Sequence, residues 1–188
     1  MCHVSNRRLV GPVVLLVSAT ASYVTGCAGK TQSAKLPPQV APLSFSVPGN
    51  GGRLVVLPAD AMPFPESTGV LNAVLTSAKF NNVSEAVLAK VSMEVAQLSL
   101  ECVEPADPCY QSVGRFLTAD RILWADVKSR NGPDGKAHPT VIIRMFDVEA
   151  GRSLGEAQQS YATSPTAQDM EVLLRKTLAS PTGSAGRQ

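Results

Sequence analysis

The chain has 188 residues, 44% of them hydrophobic and 17% charged, with 17 Lys and Arg against 15 Asp and Glu. That length suits one domain with tails, since domains run on the order of 100–150 residues. A net charge of +2, with one Trp, three Tyr and five Phe, argues against nucleic acid as a partner. Duplex binding needs clustered cations, and single strands need aromatic platforms.

The first eight residues end in Arg7-Arg8 and form a short cationic head; Leu9 to Val24 is then almost uniformly apolar. This is the order of a secretory signal, and the run is shorter than the roughly 20 residues of a membrane span. It closes on Val24-Thr25-Gly26-Cys27, which resembles the bacterial lipobox. Small residues there admit the signal peptidase, and the cysteine thiol takes the lipid. Residues 1–26 are therefore expected to be a lipoprotein signal peptide, and Cys27 the lipidated first residue of the mature chain. An ordinary signal peptide with a chance cysteine is the competing reading. Cleavage removes Arg7 and Arg8 and no acid, leaving 15 basic against 15 acidic residues. Acyl chains that bury methylenes at ~0.8 kcal/mol each would hold such a protein at a membrane, on the periplasmic face. Ala28, where an Asp would favour the inner membrane, points to the outer one.

Residues 27–52 contain Pro37-Pro38, Pro42, Pro48 and Gly49-Asn-Gly-Gly52, the composition of a flexible tether. The alternation of Leu43, Phe45 and Val47 leaves an edge strand as the other possibility. The folded domain is expected over 53–180. Leu54-Val-Val-Leu57 reads as a strand buried on both faces. Leu71, Val74, Leu75 and Ala78 recur at helical spacing, with Ser67 or Thr68 placed to cap the start. Phe80 to Ser84 suggests a turn and short strand. Leu88, Val91, Val95 and Leu98 then predict a second helix with these four on one face.

Glu101-Cys-Val-Glu-Pro-Ala-Asp-Pro-Cys109 follows. With Cys2 lost and Cys27 lipidated, Cys102 and Cys109 are an even pair, and an oxidising compartment favours a disulfide. A metal site using Glu101, Glu104 and Asp107 would lack a second Cys pair or a nearby His. A redox pair usually has two intervening residues, and here there are six.

Tyr110 to Leu117 reads as a short helix. Arg121 to Val127 and Thr140 to Phe146 read as strands about the turn Asn131-Gly-Pro-Asp-Gly135. A second turn, Asp147 to Gly151, leads to a polar edge strand, Arg152 to Ala162. Thr166 and Asp169 open a last helix with Met170, Leu173, Leu174 and Leu178 inward. Residues 181–188 are expected to be a disordered tail. The order β-α-β-α-α-β-β-β-α predicts an α/β (α+β) domain, a single mixed sheet with helices packed on it.

The opening strand Arg53-Leu-Val-Val-Leu-Pro58, the cysteine pair and Val113-Gly-Arg-Phe-Leu-Thr-Ala-Asp120, with Phe146-Asp-Val-Glu-Ala-Gly151, resemble one group of envelope proteins. It is the TolB amino-terminal-domain-like and curli-export-lipoprotein-like group, and the resemblance covers residues 53–179. It implies an α/β domain that binds other envelope proteins and has no enzyme activity. The chain has no propeller after the domain and no long alternating segment for pore strands, so transport by this chain alone is not expected.

The residues themselves offer little chemistry. His138 is the sole histidine after Cys27 and sits beside Pro139 in the expected hairpin connection; there is no Gly-x-Ser-x-Gly elbow. Gly49–Gly52 lacks the Lys-Ser/Thr of a phosphate loop. Asp60 and Glu66 flank an apolar loop as a remote cation cradle, but a plain loop explains them better. No cofactor, no metal and no catalytic residue is expected. Two partner contacts are: Met62 and Phe64 in Ala61-Met-Pro-Phe-Pro65, of a type favoured at interfaces, and Arg152 and Glu156 on the polar edge strand, which could accept a partner's strand. Trp124 belongs to the core. The expected function is that of a membrane-anchored periplasmic protein-binding or assembly factor in an envelope complex. The alternatives are a regulator of a cell-wall synthase acting by direct contact, or a small-molecule or glycan binder.

Overall fold

The computed structural model describes residues 43–49, 51–102, 104–132 and 135–179. The signal segment, Cys27, most of the expected tether and the 181–188 tail lie outside the described residues.

Strand β2 (Arg53–Val56) is the apolar run expected to be buried on both faces, and Leu54, Val55 and Val56 are all buried. It pairs in parallel on both sides, with β4 (Glu85–Leu88) and with β5 (Arg121–Asn131). From β5 the chain runs as an antiparallel meander through β6 (Ala137–Asp147) and β7 (Arg152–Ser160). The five-stranded sheet thus has the order β4-β2-β5-β6-β7. A parallel ribbon of β1 (Ser44–Ser46) and β3 (Lys79–Asn81) stands beside it.

One face of the sheet packs on α1 (Pro65–Ser77) and α4 (Ala167–Ala179) through Leu54, Val56, Leu123, Ala125, Ile143 and Met145. The other, carrying Val55, Leu57, Ile122, Trp124 and Phe146, packs on α2 (Met93–Ser99) and α3 (Asp107–Phe116). The alternation of side chains along a strand feeds both layers at once. The expected class is what the structure has: one α/β domain, a mixed sheet and helices packed on it. No helix among the described residues is long and apolar enough to cross a membrane.

Several local expectations need correcting. The end of the expected tether is structured: Phe45 and Val47 are buried, so the alternation of Leu43, Phe45 and Val47 marks a strand. Arg175 lies over the Phe45 ring at 5.0 Å, closing that side by a cation–π contact.

The helix expected to carry Leu88, Val91, Val95 and Leu98 is two elements. Glu85–Leu88 is a strand, because β2 has a free side that only a neighbouring strand can satisfy. The helix starts at Met93, where the Ser92 hydroxyl accepts from the Val95 N–H at 3.4 Å. Its buried residues are Met93 and Ala96, and Val95 and Leu98 are exposed.

Helix α1 begins with Pro65 at its first turn, so Ser67 and Thr68 are inside it rather than capping it. Thr68 is buried and donates to the Asp60 carbonyl at 3.0 Å. His138 lies within β6, not in the connection, with Nδ1 3.1 Å from the Ala162 carbonyl oxygen.

The two phrases singled out at the helix exit and the hairpin turn meet in space. A Cβ on Gly114 of α3 would overlap the side chain of Val148, so only glycine lets that turn close on the helix. Gln111 Nε2 donates to the Val148 carbonyl at 2.8 Å, and the Val148 N–H donates to the Asp120 carbonyl at 3.0 Å. Asp120 Oδ2 in turn accepts from the Arg53 N–H at 2.6 Å, tying the start of β2 to the start of β5.

Candidate functional site

On the second face of the sheet the apolar stretch ends at Trp124. The next side chains on that face are Asp126 and Lys128 from β5, Arg144 and Ile142 from β6, and Glu156 and Gln158 from β7. Arg144 lies across from Trp124 on one neighbour and Glu156 on the other. Its Nε donates to Glu156 Oε2 at 2.8 Å and an Nη to Asp126 Oδ2 at 2.6 Å. One guanidinium therefore ties three strands together, as a planar fork with fixed donors does well. Burial works against the Arg144 charge, but the Glu156 hydrogen bond and the two carboxylate charges outweigh it. The guanidinium pKa is raised.

Tyr110 from α3 covers the inner end of this network. Its ring lies 4.7 Å from that of Trp124 and 5.7 Å from that of Phe146. Burial raises its hydroxyl pKa, the Arg144 charge lowers it, and nearby carboxylates raise it again; the net direction is up. Between α2 and these strands runs an open groove of about 320 Å³, lined by Glu94, Gln97, Tyr110, Asp126, Lys128 and Arg144 among others. At the far end of the hairpin a wider opening of about 500 Å³ is lined by Arg130, His138, Ser160 and Tyr161. The Tyr161 hydroxyl is pushed up to about 12 by burial and by the Asp169 charge.

The charge of Arg144 is already matched by two carboxylates, so it is not poised to polarise a substrate. Among the described residues no three His, Cys, Asp or Glu stand together to hold a metal ion.

The contacts expected from sequence are distributed over separate elements. Met62 is 77% exposed in the loop before α1. Phe64, expected beside it as a contact, instead packs against the first core. The Asn72 side chain fixes the loop's start by bonding both the N–H and the carbonyl of Ala59, at 2.9 and 3.0 Å. Arg152 and Glu156 are exposed on β7, an edge of the sheet as expected, with Glu156 engaged by Arg144. Cys102 and Cys109 form a disulfide with Cα atoms 5.7 Å apart, joining the end of α2 to α3. Asp126, Arg144 and Tyr110 were not among the expected site residues. Their signal was in the period-two pattern: Trp124, Asp126 and Lys128 alternate with the apolar Leu123, Ala125 and Val127.

No family model matches the chain, and no curated protein matches it. Solved structures match it at low similarity. LpoB from Escherichia coli is 13% identical with a TM-score of 0.39, covering 83% of this chain and 86% of its own. A PelC dodecamer from Paraburkholderia phytofirmans is 16% identical with a TM-score of 0.35, covering 69% and 86%. A lipoprotein from Neisseria meningitidis is 13% identical with a TM-score of 0.33, covering 62% and 82%. Likeness at this level carries neither activity nor partner over to this chain.

Proposed function

We propose that this chain is a lipid-anchored envelope protein that binds other proteins without catalysing a reaction. The observation that carries the reading is an ordered one. A cationic head, an apolar run and a lipobox ending at Cys27 precede a Pro/Gly-rich segment and then a folded domain. An anchor and tether raise the local concentration of such a domain near a membrane complex. The outer membrane is the proposed site, on the periplasmic face. Met62 and the β7 edge with Arg152 and Glu156 are proposed contacts, alongside the TolB-like resemblance of residues 53–179. Within this reading, direct contact with a cell-wall synthase is the narrower form.

A second reading, a glycan or small-molecule binder, is favoured by the groove of about 320 Å³ with Tyr110, Asp126, Lys128 and Arg144 converging on it.

The deciding experiment is in-cell crosslinking with mass spectrometry on the native chain and on Cys27→Ala. The expected result is loss of both membrane fractionation and crosslinked envelope partners in the variant. Capture of no protein by the native chain would overturn protein binding and leave the groove reading to be tested with soluble glycans.

A further inference from the structure

Helix α2 is held by only two buried residues, Met93 and Ala96. Its opposite face carries Val95, 45% exposed, and Leu98, 71% exposed. On a helix, residues three and four apart are neighbours. Leu98 therefore lies beside both Val95 and Glu94; the helix ends at Ser99, and Glu101 follows in the turn beyond it. One carboxylate, Glu94, thus borders the aliphatic pair on the helix, and the disulfide clamps the loop carrying Glu104 and Asp107 to the end of the same helix.

The charge here is uneven. From Ala89 to Asp107 four carboxylates, Glu94, Glu101, Glu104 and Asp107, stand against one cation, Lys90. All four are exposed, and among the described residues none has a hydrogen bond or ion pair. Most other acids do: Asp126 and Glu156 hold Arg144, Glu85 meets Arg53, Glu171 meets Arg175, and Asp120, Asp147 and Asp169 accept backbone N–H bonds. An exposed aliphatic pair on a segment whose four carboxylates are exposed and unpaired is complementary to a segment that is both apolar and cationic.

We propose that the outer face of α2, with the disulfide loop beside it, is the docking surface for a partner protein's amphipathic segment in which Lys or Arg flank aliphatic side chains. This deepens the protein-binding reading and rests on it. Val95 and Leu98 supply the apolar contact, and Glu94, Glu101, Glu104 and Asp107 set the register and the sign.

The test uses the full-length chain in cells, with a photocrosslinking benzophenone residue at position 98 and, in separate strains, at positions 62 and 152. Adducts from position 98 are expected to map to a segment of Lys or Arg among aliphatic residues. The double substitution Glu94→Lys and Glu101→Lys is expected to cut their yield by about tenfold or more, as like charges replace unlike ones. Glu66→Lys, in the first turn of α1 on the other face of the sheet, is expected to leave the yield unchanged. Adducts to an acidic segment or to a second copy of this chain would overturn the proposal, as would yields indifferent to the charge reversal. Adducts from position 62 or 152 with none from 98 would overturn it while the protein-binding reading stands. Silence at all three positions would sink both.

Discussion

Helices α2 and α4 pack on opposite faces of the same sheet and are held there very differently. Helix α4 has 13 residues and buries Met170, Leu173, Leu174, Thr177 and Leu178. Its start is closed by Thr166 and Asp169: Asp169 Oδ2 accepts from the Thr166 N–H at 2.8 Å and hydroxyl at 2.7 Å, and the Asp169 N–H donates back at 3.3 Å. Helix α2 has seven residues, buries Met93 and Ala96, and turns Val95 and Leu98 outward. It is tied down at its far end by the Cys102–Cys109 disulfide. A long helix with a wide apolar stripe is secured by burial, whereas a short one depends on a covalent link, and its outer surface is released for other use.

The largest expected effect tests the burial of α4. Leu174→Ala removes a fully buried side chain and should cost about 2–5 kcal/mol in urea unfolding, the range for core truncations. A loss under 1 kcal/mol would mean that α4 is not the anchored element.

Next, Cys102→Ser with Cys109→Ser should cost about 2–3 kcal/mol, the chain-entropy value for so short a loop. Hydrogen exchange should accelerate in α2 and the loop while α4 keeps its protection. Uniform acceleration would deny that the bond acts locally.

Thr166→Ala, which removes the cap of α4, should cost about 1 kcal/mol. The same cap has a pH signature. Hydrogen bonds from the Thr166 N–H and then its hydroxyl hold the Asp169 pKa below its ordinary 3.8. Its contribution is therefore complete above pH 3.8 and is lost as pH falls through the lowered folded value. Asp169→Asn should flatten that acid limb in thermal melts taken across it; an unchanged limb would place the acid sensitivity elsewhere.

The smallest effect is expected at the outer face of α2. Leu98→Ala should change stability by no more than about 0.5 kcal/mol, because an exposed side chain leaves no cavity. A loss comparable to that of Leu174→Ala would mean Leu98 is packed after all.

Much of the fold was legible in the residues. The α4 stripe and its Thr166–Asp169 cap, the buried run of β2 and the β5–β6–β7 meander were each written in local periodicity or turn chemistry. The polar site was only half legible. Period-two alternation places Asp126 and Lys128 on the face of Trp124, but nothing local says that Arg144 and Glu156 sit beside them. Strand register decides that, and register is a property of pairing.

By itself the sequence determined the cysteine pair, the class of the domain and the helix that packs hardest against it. Each rests on interactions within a few residues. The tertiary structure alone decided that Glu85–Leu88 is a strand, that Phe45 joins the core, and that Val95 and Leu98 face outward. Helical spacing shows that a stripe exists but not what it meets. β2 needs a neighbour on its free side, and that takes Leu88 into a strand and delays the helix to Ser92. Met93 and Ala96 then fall toward the core, and the remaining aliphatic pair has only the outside left to face.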